Sequence, residues 1–270
     1  MLECVVNLSE GRDPDRLAAL VEAAGNDLLD VHADPHHHRS VLTLVGERAP
    51  RAVAATALAL LDLRRHEGEH PRLGVVDVVP FVPLEGSTME DALGARDRFS
   101  AWMAETFDVP CFRYGPERSL PDVRRFAFQD LAPDDGPSRP HPSAGASAVG
   151  ARGLLVAYNL WLADVDIEAA RSLARTVRGP TLRALGLQVG SQVQVSMNLV
   201  EPLVTGPRDA YRLVQGRLQS YGGRMERAEL VGLLPEGVLC SIPQDEWDNL
   251  DLDADRTIEA RLGSRPSDPP

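Results

Sequence analysis

Apolar and polar positions alternate in a way that divides the chain into short strands and amphipathic helices. Residues 2–8 read as a strand. Asp13-Pro14 supplies an N-cap and first-turn pair for a helix to about Ala24. Short apolar runs at 28–33 and 40–45 follow, then an Ala/Leu-rich helix over 51–63. Residues 75–82 are β-branched and mostly apolar, as in a buried strand. Ser87-Thr88-Met89-Glu90 reads as a capping box opening a helix to about Phe107, with a strand over 109–114 beyond it. The order β-α-β-β-α-β predicts a ferredoxin-like α+β sandwich, with helices on one face of a mainly antiparallel sheet. No G-x-G-x-x-G follows the first strand, which argues against a doubly wound sheet.

Residues 130–147 are rich in Pro, Gly, Ser and Asp and read as a long loop. Long loops in compact domains are usually functional or disordered. A strand over 154–162 and a helix over 167–177 follow, and Gly179-Pro180 makes a clean break. Beyond it come strands over 185–189 and 192–200, a helix over 207–221 and a strand over 229–234. Residues 243–255 are acidic, and the tail after Gly263 reads as disordered. The predicted division is 1–178 and 179–270.

Charge and composition narrow the chemistry. The formal net charge of the 270 residues is −12, which argues against nonspecific nucleic-acid binding. Every basic side chain is arginine; with no lysine, Schiff-base, Walker A and kinase-type lysine chemistry is excluded. Arginine suits bidentate recognition of carboxylates. Cys4, Cys111 and Cys240 have no paired spacing, so neither a disulfide framework nor a cysteine zinc site is expected. Residues 1–13 lack a secretory pattern, and the longest apolar stretch, near 52–61, is too short for a membrane span. A soluble cytoplasmic protein is expected.

Six of the seven histidines fall between His32 and His70. Histidine titrates close to neutrality and is the first candidate for proton transfer. The run from His66 to His70 satisfies H-E-x-x-H, but a zinc site needs both rings on one helical face. Gly68 interrupts that helix, and Pro71 pushes the residue before it out of helical geometry. His66 is therefore expected at a helix end, with no metal site. His36-His37-His38 lies between two strands and reads as a polar turn or a ligand-facing loop. The stretch 68–74 packs a base, an acid, an arginine and two glycines into one connection. Glycine there lets backbone approach a ligand closely.

These features converge on a family. The segments Glu3-Cys4-Val5-Val6-Asn7-Leu8-Ser9-Glu10-Gly11-Arg12, Gly68-Glu69-His70-Pro71-Arg72-Leu73-Gly74, Asp77-Val78-Val79-Pro80-Phe81-Val82-Pro83, Ala132-Pro133-Asp134-Asp135-Gly136-Pro137-Ser138 and Glu229-Leu230-Val231-Gly232-Leu233-Leu234-Pro235 resemble the formiminotransferase domain of glutamate formimidoyltransferases. The resemblance covers nearly the whole chain. It implies two ferredoxin-like subdomains with a ligand cleft between them, homodimers, no metal, and tetrahydrofolate as co-substrate. It implies that His70 is the general base. It implies a folate-binding loop of Gly136, Pro137, Ser138, Arg139, Pro140, His141, Pro142, Ser143, Ala144 and Gly145.

The implied reaction moves the formimino group of N-formimino-L-glutamate to N5 of tetrahydrofolate, within histidine degradation. Both substrates carry carboxylates, for which Arg39, Arg72 and His32 are candidate partners, the arginines being equally open to structural ion pairs. The chain also departs from its relatives. Where they carry an Asp-Ala-Gly-Pro stretch ending in Asn-Arg, this chain reads His32-Ala33-Asp34-Pro35 and ends His38-Arg39. Arg139-Pro140-His141 replaces bulkier positions in the folate loop, and Ala144 stands where tryptophan is usual. Two alternatives stay open: another one-carbon donor such as N-formylglutamate, or a folate-binding relative without turnover.

Overall fold

The computed structural model describes residues 1–68 and 72–265. It divides into two compact units, Met1–Gly153 and Leu154–Pro270. The expected boundary at 178/179 is thus corrected to 153/154. Gly179-Pro180 does break the chain, but it joins a helix to a strand inside the second unit. The strands before and after it pair in one sheet, and a local breaker marks an element end rather than a domain end.

The first unit begins with β1 (Leu2–Leu8), α1 (Pro14–Ala24), β2 (Leu28–Asp34), β3 (Arg39–Val45), α2 (Arg48–Leu60) and β4 (Val76–Pro83). It continues with α3 (Met89–Phe107), β5 (Cys111–Tyr114), α4 (Leu120–Phe126) and β6 (Ser147–Ala151). The sheet order is β2-β3-β1-β4-β6-β5. Its first four strands are antiparallel and have the ferredoxin-like order. Strands β6 and β5 extend it in parallel, making the sheet mixed.

The second unit repeats the plan with β7 (Val156–Ala163), α5 (Ile167–Val177), β8 (Leu182–Val189), β9 (Gln192–Leu199), α6 (Pro207–Leu218) and β10 (Arg224–Val231), followed by α7 (Glu236–Cys240) and α8 (Ile258–Gly263). Its order, β10-β7-β9-β8, matches β4-β1-β3-β2 of the first unit strand for strand. Among the described residues no helix is long and apolar enough to cross a membrane.

Local chemistry explains the element ends. Asp13 accepts from the amides of Asp15 and Arg16, and Pro14 occupies the first turn of α1. The box at α3 is Thr88 with Asp91, one residue later than the Ser87–Glu90 reading. Helix α2 starts three residues earlier than expected because Pro50 fits its first turn, where no intrahelical amide bond is lost. Pattern reading missed α4, which has its own Ser119–Asp122 box. It also missed β6, whose Ser-Ala-Val-Gly-Ala sequence has little strand signal. Small residues are required there: a Cβ on Gly150 would lie 2.1 Å from the Tyr114 ring. The last strand is β10 at Arg224–Val231 rather than 229–234, because its polar start lies on a sheet edge. Residues 264 and 265 continue past α8, and the rest of the tail expectation falls on 266–270, outside the described residues.

The first core joins Cys4, Val6 and Leu8 of β1 to Val53 and Ala57 of α2 and Phe99 and Met103 of α3. Each large apolar side chain buried this way contributes roughly 1.5–3 kcal/mol. That core holds the ends of β1, β3 and β4 in place, where the site is built.

Candidate active site

The β2–β3 turn brings the histidine cluster to the end of β1. Asp34 Oδ1 accepts from the amides of His36 and His37 at 2.8 and 2.9 Å, and its Oδ2 meets His37 Nδ1 at 2.5 Å. Burial opposes ionisation of Asp34, but these hydrogen bonds outweigh it and hold the carboxyl far below the ordinary carboxylate range. The aspartate that appeared displaced in the sequence is therefore the residue that shapes this turn. His38 closes the turn in a left-handed conformation, φ 51°.

Glu10, 1% exposed, sits beneath the turn. Its Oε1 accepts from the amides of Gly11, Arg12 and Asp13, and its Oε2 from Arg16. Burial resists its charge, yet these donors and nearby His38 lower its pKa on balance. The amide of Gly11 also donates to His38 Nδ1 at 3.2 Å. Gly11 must be glycine, since a Cβ there would stand 2.5 Å from the Asp34 carbonyl oxygen.

Against His38 lies His66, their rings stacked with centroids 4.2 Å apart. His66 follows the short 3-10 turn Leu63–Arg65 in extended geometry (φ −92°, ψ 123°). The expected helix-end position is borne out, with His66 as the C-cap of that turn. His66 Nε2 lies 2.8 Å from the backbone carbonyl oxygen of His38. Burial lowers the pKa of both rings below the usual histidine value; Glu10 raises both, while Arg12 and Arg72 lower both.

Arginines supply the positive charge. Arg72 donates to the carbonyl oxygens of Gly68 at 2.8 Å and His66 at 3.1 Å. Arg39 donates to Asn7 Oδ1, and burial pulls its pKa down to about 10, with Asp77 acting in the other direction. It remains cationic at neutral pH. Asp77, buried on β4, pairs with Arg124 at 2.6 Å and accepts the Leu73 amide at 2.7 Å. Ser9, His37, His38, Arg39, His66, Arg72 and Asp77 line one concavity. Even with the open space at its mouth it measures about 190 Å³. Drug-sized ligands need roughly 300–1,000 Å³, so the concavity is small beside a whole folate.

The loop 136–145 is ordered by its own contacts. His141 and Gly145 exchange backbone hydrogen bonds at 2.8 and 2.9 Å, and His141 Nδ1 accepts the Ala144 amide at 3.0 Å. The loop is clasped to the chain around the site: Leu63 N to Ser143 O at 2.7 Å, Val75 N to Ala144 O at 2.8 Å, and Ala146 N to Leu73 O at 3.0 Å. Gly136, Ser138, Arg139, Pro140 and Pro142 are exposed, and Pro137, His141 and Ser143 are partly buried. Ala144 and Gly145 are buried and act as anchors.

Sequence reasoning and structure agree only in part. The general base inferred from the resemblance, His70, lies outside the described residues with Glu69 and Pro71. Arg39 and Arg72 both line the concavity; His32, paired with Val41 on β3, does not. His36 is exposed, whereas His37 and His38 line the concavity, so the turn is polar and borders that concavity. The glycines of 68–74 serve chain packing: a Cβ on Gly68 would meet the His37 carbonyl oxygen at 2.7 Å, and one on Gly74 the Ala146 carbonyl oxygen at 2.3 Å. Sequence reading assigned no role to Asn7, Ser9, Glu10 or Asp77. Asp77 had a signal, a charge inside an otherwise apolar strand, which must find a partner when buried.

A ferredoxin-like unit carrying a concavity lined by histidines, arginines and Asp77 defines the α+β class of this protein. The family profile for the formiminotransferase domain, N-terminal subdomain, matches residues 1–152. A glutamate formimidoyltransferase of Thermoplasma acidophilum is 34% identical, covering 90% of each chain. One from Streptococcus pyogenes serotype M1 is 32% identical over 90% of this chain and 92% of its own. The formimidoyltransferase-cyclodeaminase of Rattus norvegicus is 34% identical over 87% of this chain and 50% of its own. The chain belongs to the formiminotransferase family and is a transferase.

Proposed function

We propose that this protein transfers the formimino group of N-formimino-L-glutamate to N5 of tetrahydrofolate, giving 5-formiminotetrahydrofolate and L-glutamate, as a step of histidine degradation. The observation that carries this reading is the concavity on the first unit. It gathers two neutral-leaning histidines and two arginines from segments that flank residue 70 in the chain or face those flanks. Relatives of nearly the same length named glutamate formimidoyltransferase support it.

N5 attacks the electrophilic formimino carbon and forms a C–N bond. His70 takes the N5 proton. The tetrahedral intermediate then breaks its bond to the glutamate nitrogen, and the same proton goes to that leaving amine. One group near neutral pKa serves as base and then acid, a role typically worth about 10²- to 10⁴-fold. Holding two substrates in register supplies much of the remainder. Arg39 and Arg72 take carboxylates of the donor, and Ser138, Arg139 and His141 on the loop take tetrahydrofolate. A homodimer in the cytoplasm is the proposed working form.

The test mixes purified protein with tetrahydrofolate and formiminoglutamate and follows 5-formiminotetrahydrofolate by absorbance. Product formation that is lost in His70→Ala is the expected result. No product, with folate binding intact, overturns the function; wild-type turnover by His70→Ala overturns the proton shuttle.

A further inference from the structure

The loop 136–145 is held at its two ends by contacts of different kinds. Its C-terminal end is fastened by backbone hydrogen bonds to Leu63, Leu73 and Val75. Its N-terminal end is held largely by charge. Asp134 and Asp135 lead into the loop along the outer edge of β5, the last strand of its sheet. The Cys111 amide donates to the Asp135 carbonyl oxygen, and the Asp134 amide to the Cys111 carbonyl oxygen, both at 2.9 Å.

Side chains then clamp this short pairing. Arg113 Nε and Nη2 donate to the two carboxylate oxygens of Asp135 at 2.9 and 2.7 Å, a bidentate pair. Ser100 Oγ donates to the same carboxylate from α3. The Arg113 amide donates to Asp134 Oδ2 at 2.7 Å, and Arg118 Nη1 donates to that oxygen at 2.5 Å. Asp97 stands farther from Arg113, at 3.5 Å, and lies closer to Arg96, at 2.8 Å. The Arg113 and Asp135 side chains are 26% and 18% exposed, so salt and water screen their pairing only in part.

The clamp fixes where the loop leaves its base. Gly136 follows Asp135 with φ 86°, and a Cβ there would stand 3.1 Å from Ala104 Cβ and 3.2 Å from Pro110 Cα. Only glycine fits that conformation in so close a place. Beyond it Ser138, Arg139 and Pro140 are exposed. Among the described residues the next backbone hydrogen bonds along the loop are those of His141 with Gly145. The direction of the exposed stretch is therefore set at Asp135.

We propose that Arg113 is a positioning residue for tetrahydrofolate: acting through Asp135, it holds the exposed half of the loop in its binding position. This rests on the assignment of the loop to tetrahydrofolate made above. In this role Arg113 touches neither substrate. The proposed partners of the amino-acid donor, Arg39 and Arg72, line the concavity, and Arg113 does not. Loosening the clamp thus weakens one substrate and spares the other.

Three single variants test this. Arg113→Met removes the pair and keeps the length of the side chain. Asp135→Asn removes the charge from the other side. Arg113→Lys keeps the charge but not the planar fork. Dissociation constants are measured for tetrahydrofolate by fluorescence titration and for N-formimino-L-glutamate by calorimetry, with thermal midpoints alongside. Tetrahydrofolate should bind about 10-fold more weakly to Arg113→Met and to Asp135→Asn, a cost in the range of remote misplacement. Arg113→Lys should fall between these and wild type, and donor binding should stay unchanged in all three. The double variant Arg113→Met, Asp135→Asn should be no worse than the weaker single, because both changes remove one interaction. A merely structural pair would lower the thermal midpoint and leave both dissociation constants of the folded protein unmoved.

Unchanged tetrahydrofolate binding in the single variants, equal weakening of both substrates, or additive losses in the double variant overturns the inference. If Arg113→Met does not fold, unchanged tetrahydrofolate binding by folded Arg113→Lys and Asp135→Asn overturns it. A wild type that binds tetrahydrofolate but forms no product faults the proposed reaction, while selective weakening in the variants still upholds the role of Arg113. A wild type that does not bind tetrahydrofolate overturns both.

Discussion

The imidazole of His66 stacks on that of His38 with centroids 4.2 Å apart, and its Nε2 donates to the backbone carbonyl oxygen of the same residue. Twenty-eight positions separate them in the chain. The contact ties the β2–β3 turn to the segment that leads toward residue 70, and it makes the two rings share one electrostatic environment.

Removing one ring should therefore be felt by the other. His38→Ala opens a face of His66 to water and lifts the burial that depresses its pKa. The His66 titration should move up toward 6.5, the ordinary value. Proton NMR of the ring resonances measures it, and an unmoved midpoint would contradict the account of the shift.

Stability should fall as the solution is acidified through the histidine range. His38 and His66 have pKa values lowered from 6.5, so below that pH the unfolded chain binds protons that the folded chain refuses. Their contribution is fully present above 6.5 and is lost as pH drops toward the folded values. Glu10 and Asp34, lowered from 4.5 and 3.8, act in the same direction in more acid solution. Urea midpoints between pH 7.5 and 5.5 should decline for wild type, and more shallowly for the His38→Ala, His66→Ala double variant.

Asp77→Ala should be among the most damaging single changes. It removes the carboxylate that pairs with Arg124, frees the Leu73 amide and takes away the charge whose field favours the cation on Arg39. Breaking a buried ion pair on one side costs roughly 3–5 kcal/mol. Denaturant unfolding checks the figure; a loss below about 1 kcal/mol, the worth of an exposed pair, would mean that the pair contributes as a surface bridge does.

Gly74→Ala should destabilise without touching any ligand. Its Cβ would sit 2.3 and 2.4 Å from the carbonyl oxygens of Ala146 and Ala144, and backbone on both sides cannot yield cheaply. The expected loss is roughly 3 kcal/mol, the severe end of single substitutions. The clasp between 73–75 and 144–146 should loosen with it, visible as faster amide exchange at Val75 and Ala146.

His141→Ala removes the acceptor for the Ala144 amide. The expected cost is about 1 kcal/mol, with weaker tetrahydrofolate binding because the exposed half of the loop loses its anchor. Unchanged folate affinity by fluorescence titration would separate the loop from the folate site.

The β-α-β-β-α-β order of the first unit was legible from the chain because strand and helix periodicity are local properties, whereas its doubling was implied by the family resemblance. So were the Asp13 cap, the break at Gly179-Pro180, and the reason His66 cannot sit on a zinc helix. The family was legible from motifs spread over the whole length. Strand β6 was not, since Ser-Ala-Val-Gly-Ala becomes a strand only when β4 and β5 flank it and the Tyr114 ring demands small residues. Nor was the domain boundary, because a boundary is a scarcity of contacts and no local residue pattern records that. Composition determined that positive charge here is arginine and that histidine would carry any proton chemistry. Tertiary structure alone decided that His38 and His66 meet, that Asp34 shapes a turn, that His32 stands aside, and that His66 holds its proton on Nε2. A tautomer is set by the partner a ring finds, and that partner is a backbone carbonyl on a distant segment.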